Sequence, residues 1–300
     1  MKNIVIAGGS GLIGKNLSEM LLAEGYSVTI LSRKNRKSEV ANLNYAVWDP
    51  EKKLLPENEI KDANAVINLA GTNIASKRWT NTFKEEIIRS RTESTRLLVD
   101  FYNKNETKLP VFINASAVGY YGADRKEKLH ENDSTGNDFI AKVCKAWENE
   151  ATRIERSKLV IFRIGIVLAK EDGALPELAK PIKLGFGAAL GSGKQGFSWV
   201  HIHDLCKMLL WAIENPQVKG VYNAVAPQVV SNATITKAIA KKLHKSLLLP
   251  NVPGFALKIL LGEFAEALLG NSNVSSNKIT GEGFRFTYPT LLKALDNLYE

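Results

Sequence analysis

Three glycines near the start of the chain have the spacing of a turn that binds phosphate. Gly8, Gly11 and Gly14 follow a short apolar run, residues 4–7. In such a turn the first glycine allows a sharp change of direction, the second lets the backbone approach a phosphate, and the third lets a helix pack on a strand. A helix starting here adds unpaired N–H groups and a partial positive charge. The spacing predicts a dinucleotide site, with a purely structural turn as the alternative.

The end of the second apolar run indicates which dinucleotide binds. At about 20 positions after the turn, an acidic residue would bind the free ribose hydroxyls of NAD. This chain has Ser32, Arg33 and Lys34 there instead. A guanidinium pairs with the 2′-phosphate that a carboxylate would repel, so the sequence predicts NADP(H) rather than NAD(H). The alternative is that Arg33 and Lys34 lie in a solvated loop.

Short apolar runs alternate with longer segments of helical period through the first half of the chain. The predicted strands are residues 3–7, 27–31, 43–48, 65–69, 111–115 and 159–164, and the long predicted helices are 81–102 and 139–155. Because parallel neighbours need crossover connections, this alternation predicts an α/β fold with a Rossmann-type doubly wound parallel sheet. Ligands of such sheets bind at the carboxyl ends of the strands.

The second half of the chain lacks this regular alternation of predicted strands and helices. Residues 185–193 are rich in glycine and weakly periodic, which predicts a loop near the start of a second, smaller region. Residues 255–269 are apolar but carry Lys258, Glu263 and Glu266 at helical spacing. This pattern predicts one amphipathic helix packed on the protein, and a membrane-surface role is the alternative.

Several motifs resemble those of the extended short-chain dehydrogenase/reductases, the group of NAD-dependent epimerases and dehydratases. The glycine spacing matches, and so does the segment Asn68-Leu69-Ala70-Gly71 after the fourth predicted strand. More narrowly, the chain resembles an atypical subgroup called epimerase family proteins. The matching segments are 78–80, 89–91, 116–122, 147–148, 198–205 and 222–227, together with 283–291 in the subgroup's C-terminal region of unknown function.

The resemblance implies a division of the chain into two domains. An NADP(H)-binding Rossmann domain is expected over residues 1–165, with a return segment at 196–226. A small C-terminal substrate-binding domain is expected over residues 166–195 and 227–300. Extended relatives are often dimers, so a homodimer is an expectation from the family.

The resemblance also directs attention to three hydroxyl groups. In short-chain dehydrogenases a tyrosine acts as acid or base, a lysine four residues later lowers its pKa, and a serine positions the substrate oxygen. The Tyr-x-x-x-Lys pair is missing, because Phe139 and Val143 stand at that spacing. The serine element survives in altered form, since Ser116 stands one position further from Tyr121-Gly122 than in the Ser-x-x-Val-Tyr-Gly segment of extended members. Tyr120 and Tyr121 are the nearby phenols. All three are candidate catalytic residues, and packing at a domain interface is an equal alternative for the two tyrosines.

The candidate cofactor residues lie at the predicted strand ends and on the adjoining helices. They are Gly8, Gly11, Leu12, Ile13, Gly14, Ser32, Arg33, Asp49, Leu69, Ala70, Gly71, Arg91, Ala115 and Arg163. Arg89 and Arg91 could also reach a substrate carboxylate or phosphate, although arginines on a long helix usually form a solvated face.

A metal site is not predicted. His201, His203 and Asp204 share a spacing that could bind zinc on a strand, but no third cluster of ligands is evident. Only Cys144 and Cys206 occur, far apart in the sequence, so neither a disulfide framework nor a cysteine-rich zinc site is supported. A reducing, cytoplasmic compartment is the simpler interpretation.

The chain is basic, with a formal net charge of +9 over 300 residues. This charge favours anionic partners, but aromatic and basic residues do not interleave as in nucleic-acid-binding proteins. We therefore expect a small-molecule substrate and neither nucleic acid nor membrane as partner. The leading hypothesis is an NADP(H)-dependent oxidoreductase or epimerase acting on a small, sugar-like or anionic molecule. The alternative is a non-catalytic NADP(H)-binding redox sensor or scaffold, because fold does not imply function.

Overall fold

The computed structural model describes residues 2–104 and 109–300, and a sheet of parallel strands runs through it. The described strands are β1 (Asn3–Ala7), β2 (Ser27–Ser32), β3 (Leu43–Val47), β4 (Ala65–Asn68), β5 (Val111–Ala117), β6 (Lys158–Ile164), β7 (Ile166–Leu168), β8 (Gly196–Phe197), β9 (Trp199–His201), β10 (Gly220–Ala224) and β11 (Val230–Ser231). The central sheet has the order β10-β6-β5-β4-β1-β2-β3, and every neighbouring pair is parallel.

Helices connect these strands. The described helices are α1 (Leu12–Ala23), α2 (Glu57–Ile60), α3 (Asn81–Lys104), α4 (Phe139–Ala151), α5 (Ala174–Lys183), α6 (Ile202–Glu214), α7 (Asn232–Lys242), α8 (Gly254–Leu261), α9 (Phe264–Leu269), α10 (Asn277–Gly281) and α11 (Leu291–Tyr299), with a short 3-10 helix at Val118–Tyr121. The predicted doubly wound α/β fold is confirmed.

Both faces of the central sheet are buried, as β1 shows. Successive side chains of a strand point to opposite faces. Ile4 packs on the same side as Leu17 of α1, whereas Val5 packs on the same side as Leu98 of α3. Helices on both sides of the sheet therefore explain why β1 is apolar throughout and does not alternate with polar residues. The same packing holds the carboxyl ends of the strands in place.

The predicted elements of the first half are confirmed, with small shifts at their ends. The strands differ from the predicted bounds by no more than two residues at either end. The helix predicted over 139–155 ends at Ala151, because Thr152 to Ile154 continue in tight turns, and the helix predicted over 81–102 extends to Lys104. Residues 185–193 form a loop, as expected.

The chain returns to the central sheet late in the sequence. After β9, α6 packs against α1 through the core cluster that contains Leu205, Leu209 and Leu21, and β10 then pairs with β6. A separate apolar cluster joins α5, α7 and α11. The predicted division into two domains, including the return segment, stays a prediction.

The single helix predicted over 255–269 is wrong. The segment forms two short helices, α8 and α9, separated by Gly262 and Glu263. Gly262 has φ +64, a conformation that breaks a right-handed helix and that glycine adopts without strain. The segment also packs less than expected, since Leu257 and Ala265 are buried while Phe255 and Ile259 are exposed.

No helix within the described ranges 2–104 and 109–300 has both the length and the apolar character needed to cross a membrane.

Candidate functional site

The glycine turn joins β1 to α1 at the carboxyl edge of the sheet, and two of its glycines are required by packing. Gly8 has φ +79, and a Cβ there would lie 2.7 Å from the carbonyl carbon of Leu69. A Cβ on Gly14 would lie 2.4 Å from the Cα of Gly9. Both distances are far below ordinary contact, so these two positions exclude other residues for reasons internal to the protein.

Gly11 differs from the other two. A Cβ at this position would meet only the Gly8 carbonyl oxygen, at 3.4 Å, and the backbone angles are φ −80 and ψ 177. Neither packing nor backbone strain therefore requires glycine. Gly11 itself is exposed, and Leu12 and Ile13, which begin α1, are half-buried.

The first turn of α1 offers free donors. Gly11 is the N-cap and provides no side-chain hydrogen bond, and the first turn contains no acidic residue. The N–H groups of Leu12 and Ile13, at the first two positions of the helix, therefore have no partner within the helix. Together with the helix dipole, they form a site for an anion.

The ends of β2 and β3 lie beside this turn. The buried Ser32 accepts a hydrogen bond from the Lys34 N–H at 3.2 Å, and its carbonyl accepts one from the Trp48 N–H at 3.0 Å. These bonds fix the backbone on either side of Arg33, whose side chain is exposed. Asp49 follows β3 and accepts a hydrogen bond from the Glu51 N–H at 3.1 Å.

A buried amide network supports the end of β4. The Asn68 side chain donates to Thr95 and to Asn114, both at 2.8 Å, and accepts from the Ala70 N–H at 3.2 Å. The segment Leu69, Ala70 and Gly71 is thereby held next to the glycine turn, where the Leu69 N–H donates to the Ala7 carbonyl at 2.9 Å.

Arg91 of α3 reaches this segment as an unpaired cation. Its guanidinium lies 5.2 Å from the Trp147 ring centroid, and one nitrogen donates to the Ile87 carbonyl of its own helix at 3.1 Å. Burial lowers its pKa. A Cβ on Gly71 would lie 3.0 Å from the guanidinium carbon, so glycine makes room for the cation. No ion pair within the described part of the chain includes Arg91.

A buried ion pair lies at the ends of β5 and β6. Arg163 donates to both oxygens of Glu148, at 2.9 and 2.8 Å, and the two side chains are 3% and 9% exposed. The Ser116 hydroxyl donates to the same carboxylate at 2.6 Å. The hydroxyl of Ser116 is therefore engaged with protein, and its catalytic role stays a prediction.

Tyr121 belongs to the same network. Its hydroxyl donates to the Asn223 side-chain oxygen at 2.6 Å and accepts from Arg163 at 3.0 Å. Burial raises its pKa to about 12, despite the opposing effect of Arg163. The same Arg163 nitrogen also donates to the Glu131 carbonyl at 3.0 Å. Four hydrogen bonds thus join Arg163 to protein groups, and the predicted cofactor contact of this residue stays a prediction.

Tyr120 is placed differently from Tyr121. Its ring lies over the Arg163 guanidinium at 3.4 Å from the centroid, and the residue is half-buried. Phe139, at the position expected for the missing tyrosine, packs edge-on against Trp79 at 5.1 Å. Tyr120 is therefore the better placed of the two candidate phenols.

The structure brings most of the predicted residues to one edge of the sheet. The turn, the ends of β2, β4 and β5, and Arg91 share this edge, with Ala115 buried near the end of β5. The sequence analysis did not identify Glu148, Asn223 or Glu131 as parts of the network. Only Glu148 carried a signal, as part of the Trp147-Glu148 match.

The His201 to Asp204 segment has a structural role. His201 caps α6 by accepting the His203 N–H at 3.1 Å, and its ring stacks on Tyr288 at 3.9 Å. Asp204 accepts the N–H groups of Thr287 and Tyr288, each at 2.8 Å. These contacts fasten the C-terminal region to α6. The described residues contain no group of three acidic, histidine or cysteine ligands that could hold a metal ion.

This arrangement predicts an acid-sensitive fold. Burial lowers the pKa of His201 from 6.5 to about 4, so the folded state favours the neutral ring while the unfolded chain takes up a proton below pH 6.5. Stability should therefore fall as pH drops from 6.5 towards 4, with His201 contributing up to about 3 kcal/mol of the loss. Urea unfolding across this pH range should show a flatter profile for His201→Asn, which keeps a cap acceptor. His244→Asn, at an exposed position, is the control. If His201→Asn had the same dependence of unfolding free energy on pH as wild type, His201 would not be the source of the acid sensitivity.

The fold and the site define a class of protein: a Rossmann-fold protein with a dinucleotide turn at the carboxyl edge of its sheet. Residues 4–225 match the model of the NAD dependent epimerase/dehydratase family, and residues 252–298 match a domain of unknown function (DUF1731). The chain belongs to the NAD-dependent epimerase/dehydratase family, a family that binds NAD(P).

Relatives of similar length support this assignment. The epimerase family protein YfhF of Bacillus subtilis is 36% identical over 299 residues, covering 99% of this chain and 97% of that protein. The epimerase family protein SSP1921 of Staphylococcus saprophyticus is 36% identical over 304 residues, covering 99% of each. The chain is thus an epimerase family protein in the narrower sense that the resemblance indicated.

Solved structures extend the comparison. The human epimerase family protein SDR39U1 (isoform 2) with NADPH has a TM-score of 0.90 and 31% identity, covering 99% of each chain. UDP-glucuronic acid 4-epimerase from Bacillus cereus, in complex with UDP-glucuronic acid and NAD, has a TM-score of 0.79 and 18% identity, covering 99% of this chain and 98% of that one. At that identity the second match shows the fold alone.

Proposed function

We propose that the protein binds NADP(H) across the carboxyl edge of the sheet and transfers hydride to or from a small molecule. Gly11 carries the proposal. Packing explains Gly8 and Gly14, but neither the backbone angles of Gly11 nor its neighbours among the described residues require glycine at position 11. A phosphate approaching the first turn of α1 does explain it, because a side chain there would occupy the phosphate's place. The N–H groups of Leu12 and Ile13 would then bind the pyrophosphate.

Arg33 supports the choice of NADP(H) over NAD(H). The residue is exposed at the end of β2, where the adenosine ribose is bound in this fold. Ser32 holds the backbone in place, and the carboxylate that would favour NAD is replaced by a cation. The human relative, whose solved structure contains NADPH, points the same way.

Arg91 would neutralise a second negative charge. Its guanidinium is partly desolvated, lacks a carboxylate among the described ion pairs, and lies beside Gly71. An anionic group of the cofactor or of the substrate would restore the interactions that burial removed. Leu69, Ala70 and Ala115 would line the same groove between the turn and Arg91.

The proposed chemistry assigns few roles to side chains. A bound nicotinamide supplies or accepts the hydride. Tyr120 would exchange a proton with the substrate, since it is half-buried beside Arg163 while the Tyr121 hydroxyl is bonded to Asn223 and Arg163. Ser116 would accept a hydrogen bond from the substrate while its own hydroxyl proton is donated to the Glu148 carboxylate.

A second candidate function is non-catalytic NADP(H) binding that reports redox state or supports other proteins. The observation that favours it is the engagement of Ser116 and Tyr121 with Glu148 and Asn223, together with Phe139 and Val143 at the places of the missing pair. Tight NADPH binding without hydride transfer to any carbonyl compound in a broad panel would support this second function over the first.

Cofactor preference tests the proposal. We expect wild type to bind NADPH more tightly than NADH, and Arg33→Ala to lose about 10- to 100-fold in NADPH affinity with little change for NADH, because one charge-assisted contact to the 2′-phosphate is lost. Calorimetric titration gives both affinities.

Arg36→Ala is the matched control for this experiment. Arg36 lies in the same exposed loop, 6.0 Å from the Tyr45 ring centroid, and we expect its replacement to change the NADPH affinity by less than about threefold. Equal losses for both variants would mean that the loop attracts phosphate only through its net charge. Equal affinity of wild type for NADPH and NADH would contradict the choice of NADP(H).

A further inference from the structure

One long segment of the chain carries only positive charge. Between Glu214 and Glu263 there are six lysines and no aspartate or glutamate. The protein as a whole has 40 basic and 31 acidic residues, so this segment supplies most of the net charge of +9. It begins after α6 and ends after α8. We call it the basic segment.

The same segment exposes large apolar side chains. Leu248 is 85% exposed, and on α8 Phe255, Ile259 and Leu260 are 70%, 72% and 73% exposed. Phe255 and Ile259 are four positions apart and share one face of the helix. Single exposed apolar residues are common, but a group of four on one short stretch marks a surface that binds something.

Lysines and apolar side chains of this segment lie together in space. A cavity of about 570 Å³ is lined by Lys237 of α7, by Leu249 and Asn251, and by Lys194 from the loop before β8. Lys194 and Lys237 are both exposed. The cavity therefore places Lys194 and Lys237 beside Leu249, which directly follows the exposed Leu248 in the chain.

We propose that this face docks on an anionic lipid bilayer. Leu248, Phe255, Ile259 and Leu260 would enter the boundary between headgroups and acyl chains, and the lysines would bind headgroup phosphates. Surfaces that combine projecting apolar side chains with basic residues bind lipid in this way. The proposal replaces our expectation of no membrane partner, and it is independent of the proposed NADP(H) function.

Charge decides between a bilayer and a second copy of the chain. In a two-fold dimer through this face, the basic segment of one copy would meet the basic segment of the other. Two of the six lysines are paired within the chain, Lys242 with Asp296 and Lys258 with Glu266, and none of the described ion pairs includes the other four, Lys219, Lys237, Lys241 and Lys245. The segment itself has no acidic residue that could pair with these four lysines. Nucleic acid would satisfy the lysines but would leave Ile259 and Leu260 without a partner, because bases stack on aromatic rings and not on aliphatic side chains.

Cosedimentation with vesicles tests the proposal on the whole protein. We expect wild type to sediment with phosphatidylcholine vesicles in which about a third of the lipid is phosphatidylserine, and not with pure phosphatidylcholine. The triple variant Phe255→Gln, Ile259→Gln, Leu260→Gln should bind at least about tenfold more weakly. The double variant Lys237→Gln, Lys245→Gln should lose about tenfold as well.

Matched controls show whether vesicle binding depends on this face or on any exposed leucine or lysine. Leu292→Gln removes an apolar side chain that is 63% exposed on α11, and Lys128→Gln removes an exposed lysine outside the segment; both should bind vesicles as wild type does. Circular dichroism checks that each variant is folded. Three results would overturn the proposal: no sedimentation of wild type, wild-type sedimentation of the triple variant, or a concentration-dependent dimer that the triple variant loses.

Discussion

Gly11→Val should abolish tight NADPH binding and leave the fold intact. The backbone at Gly11 has angles that valine adopts freely, and a Cβ there meets nothing closer than 3.4 Å in the protein. A valine side chain would instead occupy the place of the pyrophosphate over the first turn of α1. We expect a loss of at least about 100-fold in NADPH affinity, equivalent to about 3 kcal/mol, in a calorimetric titration.

Two other glycines control this experiment. Gly281→Val places the same side chain where no atom lies within 4 Å, and it should bind NADPH as wild type does. Gly14→Ala should instead destabilise the protein, because its Cβ would overlap Gly9. If Gly11→Val kept wild-type affinity, the turn would be structural and the proposed function would fall with it.

Arg163→Met should destabilise the protein by about 3–5 kcal/mol. The substitution leaves the Glu148 carboxylate buried without its cation, and removing one partner of a buried pair costs this much. It also removes the hydrogen bonds to Tyr121 and to the Glu131 carbonyl. Urea unfolding gives the free energy of unfolding for each variant.

A double variant and a surface ion pair show whether the unpaired buried charge causes the loss of stability in Arg163→Met. Arg163→Met with Glu148→Leu should be less destabilised than Arg163→Met alone, because no unpaired charge remains. Arg153→Met breaks ion pairs with Asp100 and Glu150 on the surface and should cost less than about 1 kcal/mol. A loss of under 1 kcal/mol for Arg163→Met would show that the network does not support the fold.

The parts of the fold that depend on local pattern were predictable from sequence. The glycine turn, the strands of the first half and the helix over Asn81–Lys104 follow from spacing and periodicity, which are properties of neighbouring residues. The break between α8 and α9 was missed because an apolar pattern continues through Gly262, and only its positive φ reveals the interruption. Exposure of Phe255 and Ile259 was missed for a related reason, since periodicity does not show whether a partner surface exists.

The candidate site was predictable only in part. The positions proposed to contact the cofactor through backbone atoms follow from the glycine spacing, whereas the network around Ser116 depends on tertiary contacts. Glu148 and Arg163 lie on α4 and β6, and Asn223 reaches Tyr121 from a strand 102 residues further along the chain. Nothing local in the sequence indicates that these groups meet, so hydroxyls that looked free for catalysis are bonded in the structure.

Amide chemical shifts during an NADPH titration test the proposed cofactor site most directly, because they report where the cofactor binds. In a ¹⁵N-labelled sample, we expect the largest changes at Gly11, Leu12 and Ile13 and at Arg33, with little change in the basic segment. That result would place the pyrophosphate at the first turn of α1 and the 2′-phosphate at the end of β2. If saturating NADPH left the chemical shifts of these amides unchanged, or changed those of other amides instead, the proposed NADPH site would be contradicted.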